Sequence, residues 1–342
     1  MPENEETTEQ IPEAPITHFA DPAPCAMQPA PDPTEVNAPR RGIAPLWHTA
    51  VLVLAILAFS LWGALRPDSS TINPLAPVQR PLHAASADGS DPLRIIRYGL
   101  TGGLELIVVA WVALGLRLRK TPFRSLFGAW PSGLNDVTKE VGIAALFWIC
   151  SMVVLGSVAF TWNLVETRID NFQTARQQRE KPQPLATSKS PSASQSPSGS
   201  KAVTPKHVLP EQKQADTIRE LMELAPANGK EIAAWALLCL IVGFSEELIF
   251  RGYLQMQSIA LLHRVPLSIA LTALIFGAAH GYQGIRGIVL ITVYGILFAG
   301  ITLLRKSLMP GMLAHGWHDF ATGMALAILR ATHVLDHFPF PQ

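Results

Sequence analysis

Charge is scarce in this chain. Only 15% of its 342 residues are Asp, Glu, Lys or Arg, against 49% hydrophobic residues, and mean hydropathy is +0.24. The few charges cluster, which leaves long neutral stretches. That pattern argues against an ordinary soluble domain and points to a polytopic membrane protein. A net charge of +1 gives no support to nucleic-acid binding. Cysteine is scarce as well. Cys25, Cys150 and Cys239 form no CxxC pair, which argues against a disulfide framework or a thiolate zinc site. They are expected to serve as small buried apolar residues. The first 39 residues contain no Lys or Arg, so they lack the basic start of a signal peptide. Their Asp, Glu and Pro content predicts a disordered acidic tail over 1–43. Two hydrolase signatures are also missing. There is no HExxH, and Ser245 in GFSEE fits neither a GxSxG elbow nor an intramembrane Gly-x-Ser-Gly motif.

What the chain does have is apolar runs. A membrane-spanning helix needs about 20 mostly apolar residues. Such runs occur at 45–65, 100–118, 141–162, 232–256, 265–282, 287–304 and 308–331. The expected fold is therefore an all-α, polytopic transmembrane helix bundle of about seven spans, with six to eight compatible. Three spans fall in 44–163 and four in a core at 231–335. Between them, 164–230 is rich in Ser, Pro, Lys and Gln, a composition that cannot offset its ordering entropy. It reads as a disordered loop. Near its end, Ile218, Leu221, Met222 and Ala225 recur at helical spacing over 211–225, which predicts a short amphipathic helix on the membrane surface. With seven spans, Arg40 and Arg41, the basic loop at 117–124, and Arg305 and Lys306 share one side, expected to be cytoplasmic. Arg66, Arg80, Arg94 and Arg97 oppose that orientation.

Ionisable residues within the last four apolar runs are few and fall in three places. The fourth run carries Glu246, Glu247 and Arg251 in GFSEELIFRGYLQ. Glu247 and Arg251 are four apart and share a helical face, so they can pair, while Glu246 points about 100° away. The fifth ends in FGAAHG with His280, and the seventh carries His315, His318 and Asp319 in AHGWHDF. His315 and Asp319 share a face. An ion pair explains one pair, and an interfacial histidine explains one more. Gly277 and Gly281 are explained by close helix packing. The whole set is harder to dismiss, since charge inside a membrane is expensive and usually functional. These side chains should converge inside the bundle. In the second run Glu105 must lie near an end or face protein.

A glutamate beside a histidine can deprotonate water in a low-dielectric pocket. A second histidine with an aspartate can donate or orient hydrogen bonds toward a developing oxyanion. Together these hydrolyse a peptide bond without a covalent intermediate. Glu246, His280, His315 and Asp319 would alternatively make a zinc set with an open water position. Proton-coupled transport is disfavoured, because the set is compact and no repeated half is visible.

The motifs EELIFR (246–251), FGAAH (276–280) and HGWHD (315–319) stand in the order and spacing of a known family. Over about 230–335 the chain resembles the CAAX proteases and bacteriocin-processing enzymes, a family of intramembrane endopeptidases. The resemblance implies catalytic roles for Glu246, His280, His315 and Asp319, with Glu247 and Arg251 as a supporting ion pair. It implies a membrane protein or peptide as substrate, one with a hydrophobic C-terminus among them, in a multi-pass protein of the cell (inner) membrane. It leaves zinc or a metal-free glutamate mechanism open. It also allows a catalytically silent membrane-binding or immunity protein of the same fold. Asp at 319 departs from the family's frequent Asn, and the Ser/Pro-rich insert lies outside the family core.

Overall fold

Among the described residues helices are the only long regular elements, as the apolar runs require, since a helix satisfies its own backbone in lipid. The structure, a computed structural model, describes residues 42–65, 91, 93–180, 222 and 224–332. Among these are seven helical runs: α1 Leu46–Ala64, α2 Arg94–Leu118, α3 Leu134–Glu180, α4 Gly229–Leu262, α5 Val265–Ala279, α6 Gly284–Arg305 and α7 Met309–Ala331. The N-terminal tail and all of 181–221 lie outside the described residues, as does most of the expected amphipathic helix.

Five of the seven, α1, α2, α3, α4 and the run ending at Arg305, are long and apolar enough to cross a membrane. The other two carry site residues. At 15 residues, α5 rises only about 22 Å, short of a hydrocarbon core of about 30 Å. It stops because the chain turns at His280 into a 3₁₀ segment, Gly281–Gln283. α7 is long enough but polar, with His315, His318 and Asp319 along its middle.

Two further expectations need correction. Residues 164–180 are not the start of a loop, because α3 runs on unbroken to Glu180. Glu, Arg, Gln and Ala, all good helix formers, dominate that stretch. Cys150 is exposed on the outer face of α3 rather than buried, whereas Cys239 is buried as expected.

Close helix contacts set the frame. Gly243 of α4 and Gly316 of α7 meet backbone to backbone. A Cβ on Gly243 would lie 2.8 Å from Met312 O, and one on Gly316 would lie 3.1 Å from Cys239 O. Gly277 lets α5 approach α6 in the same way, for a Cβ there would sit 2.6 Å from Ile288 O. α2 runs parallel to α4. Arg94 pairs with Glu231, the Tyr98 ring lies 5.2 Å from that of Trp235, and Gly102 faces Leu238 and Ile241. Asn228 and Glu231 cap the start of α4, with Glu231 N–H donating to Asn228 Oδ1 at 3.0 Å. α3 packs Phe147, Trp148, Met152 and Leu155 on Tyr294, Phe298 and Ala314.

Candidate active site

α4 does not stop at its charges. It continues past Arg251 to Leu262, the extension that the depth of His280 demands, through a π-helical turn at Leu248–Leu254. Such wide turns are rare and often mark functional sites. Arg251 lies inside it and is buried. Its guanidinium stacks on Phe276 at 4.2 Å and approaches Phe298 at 5.1 Å. Nη1 lies 3.0 Å from Glu247 Oε1, within ion-pair range but not aimed for a hydrogen bond. The expected Glu247–Arg251 pair is thus present.

Glu247 does more than pair with arginine. Its Oε1 also accepts from His315 Nδ1 at 3.0 Å. A carboxylate can only accept, so the proton on that side of the ring belongs to Nδ1. The other ring nitrogen, Nε2, faces two more carboxyls: Glu246 Oε2 at 3.5 Å and Asp319 Oδ2 at 3.8 Å. Both carboxyls thus stand just beyond ordinary hydrogen-bond distance of Nε2. The link from Glu247 to His315 was missed in the sequence. It joins helices 68 residues apart, and no local spacing encodes it.

His280 sits at the end of α5. Its Nδ1 donates to Phe276 O at 2.9 Å, which leaves the Nε2 lone pair free to accept. Ser60 of α1 fixes this turn, donating to Ala278 O at 2.6 Å and accepting from Gly281 N at 2.9 Å. No sequence signal pointed to Ser60. His280 and His315 both lie against the Phe276 ring, with centroids at 5.1 and 6.2 Å. No direct contact between His280 and Glu246 is described. The Tyr282 ring lies 6.0 Å from that of His280. His318 turns instead toward Tyr294, 5.1 Å away.

The structure thus gathers Glu246, Glu247, Arg251, His315 and Asp319 tightly, with His280 beside the same phenylalanine. Among the described residues, no three His, Cys, Asp or Glu side chains are arranged to hold one metal ion.

Residues 228–321 match the family model described as Type II CAAX prenyl endopeptidase Rce1-like. That stretch is similar to the Rce1-like family. It begins at the Asn228 cap of α4 and ends just past Asp319, so it holds every motif residue of the site. It agrees with the resemblance carried by the three motifs. No curated protein and no solved structure gave a significant match.

Proposed function

We propose that the protein is an intramembrane endopeptidase in which Glu246 activates water for attack on a peptide bond. The observation that supports this best is the grip on His315. Nδ1 is fixed by Glu247, and Nε2 is turned toward both Glu246 and Asp319. A base, a proton and a hydrogen-bonding acid then lie within one or two ångströms of contact inside apolar helices.

Glu246 takes one proton from a water as its oxygen adds to the scissile carbonyl carbon. The Nε2 lone pair of His280 holds that water. His315 and Asp319 donate toward the oxyanion that forms. Collapse of the tetrahedral intermediate breaks the C–N bond, and Glu246 returns its proton to the leaving nitrogen. The products are a carboxylate and an amine, and the site is regenerated. Arg251 and Glu247 do not react but keep His315 in its orientation. The substrate is a membrane protein or peptide that reaches the site from the lipid of a cell (inner) membrane, one with a hydrophobic C-terminus among the candidates.

The deciding experiment maps membrane-protein termini in a deletion strain complemented by wild type or by Glu246→Gln. New termini that depend on wild type and vanish with Glu246→Gln support the peptidase. Identical termini in all three strains would instead indicate a silent binding or immunity protein of this fold.

A further inference from the structure

α1 lies outside residues 228–321, the stretch similar to the Rce1-like family, yet its polar side chains reach into that stretch. Apart from two tryptophans, α1 carries three of them: His48, Thr49 and Ser60. His48 Nδ1 and Thr49 Oγ1 lie 3.0 and 2.9 Å from Tyr253 OH, in the π-helical turn that holds Arg251. Ser60 goes to the turn that holds His280. The residues that α1 buries, His48, Leu52 and Ser60, fall within about 120° of arc. One face of the helix thus makes these contacts, and the rest of it is apolar.

Ser60 takes hold of the backbone on both sides of His280. Its hydroxyl donates to Ala278 O at 2.6 Å and accepts from Gly281 N–H at 2.9 Å, which one O–H and its lone pairs allow. Both groups need such a partner. α5 ends here, so its last carbonyls meet no N–H of a following turn. Apolar surroundings offer no water in its place. His280 supplies two partners itself: its N–H donates to Gly277 O at 3.0 Å and its Nδ1 to Phe276 O at 2.9 Å. Ser60 serves the residues on either side. The approach is close enough to need a glycine, for a Cβ on Gly281 would lie 2.8 Å from Ser60 Oγ. Ser60 is buried, so solvent does not compete for its hydroxyl.

We propose that Ser60 is a positioning residue, whose hydroxyl clamps the turn on which His280 sits and so aims the Nε2 lone pair at the reacting water. The inference rests on the proposed function, in which His280 holds that water. Nδ1 keeps its bond to Phe276 O only while the backbone on either side of His280 stays in place. That bond puts the proton on Nδ1 and leaves Nε2 as the acceptor. A turn freed of Ser60 lets the ring rotate and the proton pass to Nε2, which then faces the water as a donor. The site is therefore completed from outside the matched stretch, by one hydroxyl on an otherwise lipid-suited helix.

The test uses the full chain in nanodiscs, with its histidines carrying nitrogen-15 and the His280 signals assigned by their loss in His280→Gln. In wild type these signals should show a protonated Nδ1 and an unprotonated Nε2. Ser60→Ala removes one hydroxyl from an apolar helix, so insertion should hold, and both nitrogens should move toward the average of two tautomers. Peptide cleavage should lose roughly tenfold in kcat with KM within about twofold, because a misaimed water slows the chemical step and not binding. Gly281→Ala keeps the hydroxyl but pushes it off the turn, and it should give the same two changes. The double variant should be no worse than either single one, since both break one contact. His280 signals that stay as in wild type in both variants overturn the inference. So do losses that appear in KM alone, or that multiply in the double variant. The nitrogen signals need no catalysis. If wild type cuts no peptide, or Glu246→Gln still cuts, the proposed function fails, while these signals still judge whether Ser60 fixes His280.

Discussion

α3 and α4 are both long helices, yet they bury opposite things. α3 turns Leu146, Ile149, Val153 and Phe160 outward, where they are exposed, and packs Phe147, Trp148, Met152 and Leu155 inward, with Ser151 and Glu140 the buried polar residues on it. α4 encloses Glu247, Arg251, Gln255 and Gln257, all buried. The apolar outside of α3 meets lipid and costs nothing there. The polar inside of α4 must be repaid by partners, and it finds them in His315, Phe276 and the N-terminal segment, where Gln257 bonds Ala44 twice. Hydrophobicity therefore marks where the chain meets the membrane, and charge within it marks where the chain meets itself.

The sharpest way to strain that contrast is to neutralise the carboxyl that has no structural task. Glu246→Gln keeps size and hydrogen bonding but cannot accept a proton from water. Peptide cleavage by the purified variant should fall by roughly 10²-fold or more while membrane insertion and thermal stability hold. Near-normal cleavage would falsify the role of Glu246.

Arg251→Ala attacks the buried side instead. It leaves Glu247 enclosed at the heart of α4 without its partner, at a cost of about 3–5 kcal/mol. Thermal unfolding in detergent should show the loss first, and cleavage should fall with it because Glu247, which holds His315, loses the guanidinium that fixes it. On α3, Val153→Ala should stay within about 0.5 kcal/mol, since it faces lipid. Equal losses at the two positions would erase the distinction between the helices.

Gly277→Ala probes the packing between α5 and α6 with no charge involved. The new methyl would meet the backbone of Ile288 at 2.6 Å and Thr292 Oγ1 at 2.1 Å, so the helices must part. A loss of about 1–3 kcal/mol is expected in the same unfolding assay. An unchanged midpoint would mean that the α5–α6 approach is not tight.

Most of the site was legible because charge in apolar helices stands out. Glu246, Glu247 and Arg251 announced a face, and the depth of His280 required α4 to run on to Leu262, as it does. Three things were not legible. The π-helical turn around Arg251 has no local signal, because it is held by distant contacts such as His48 Nδ1 with Tyr253 OH at 3.0 Å. The bond from Glu247 to His315 is tertiary. The helical continuation of α3 to Glu180 was hidden by its polarity, which resembles that of the Ser/Pro-rich insert although its residue types favour helix. In the first two cases the deciding contact lay outside the window that suggested the expectation, and in the third the propensity lay within it but was masked by polarity.

The smallest expected effect concerns Asp319, where the same four side chains once suggested zinc. If Asp319 shares a proton with His315 and points it at the oxyanion, then Asn, a neutral donor of the same shape, can take its place. Cleavage by Asp319→Asn near neutral pH should stay within a few-fold of wild type, about 1 kcal/mol in barrier. It should also persist after treatment with a chelator. A carboxylate bound to zinc behaves otherwise, since loss of a ligand weakens binding steeply and activity would leave with the metal. Metal content and cleavage rate, measured together on wild type and Asp319→Asn, separate the two. Stoichiometric zinc in wild type, lost along with activity in the variant, would return Asp319 to the ligand role and require the helices to close around the ion more tightly than the 3.5 and 3.8 Å approaches of Glu246 and Asp319 to His315.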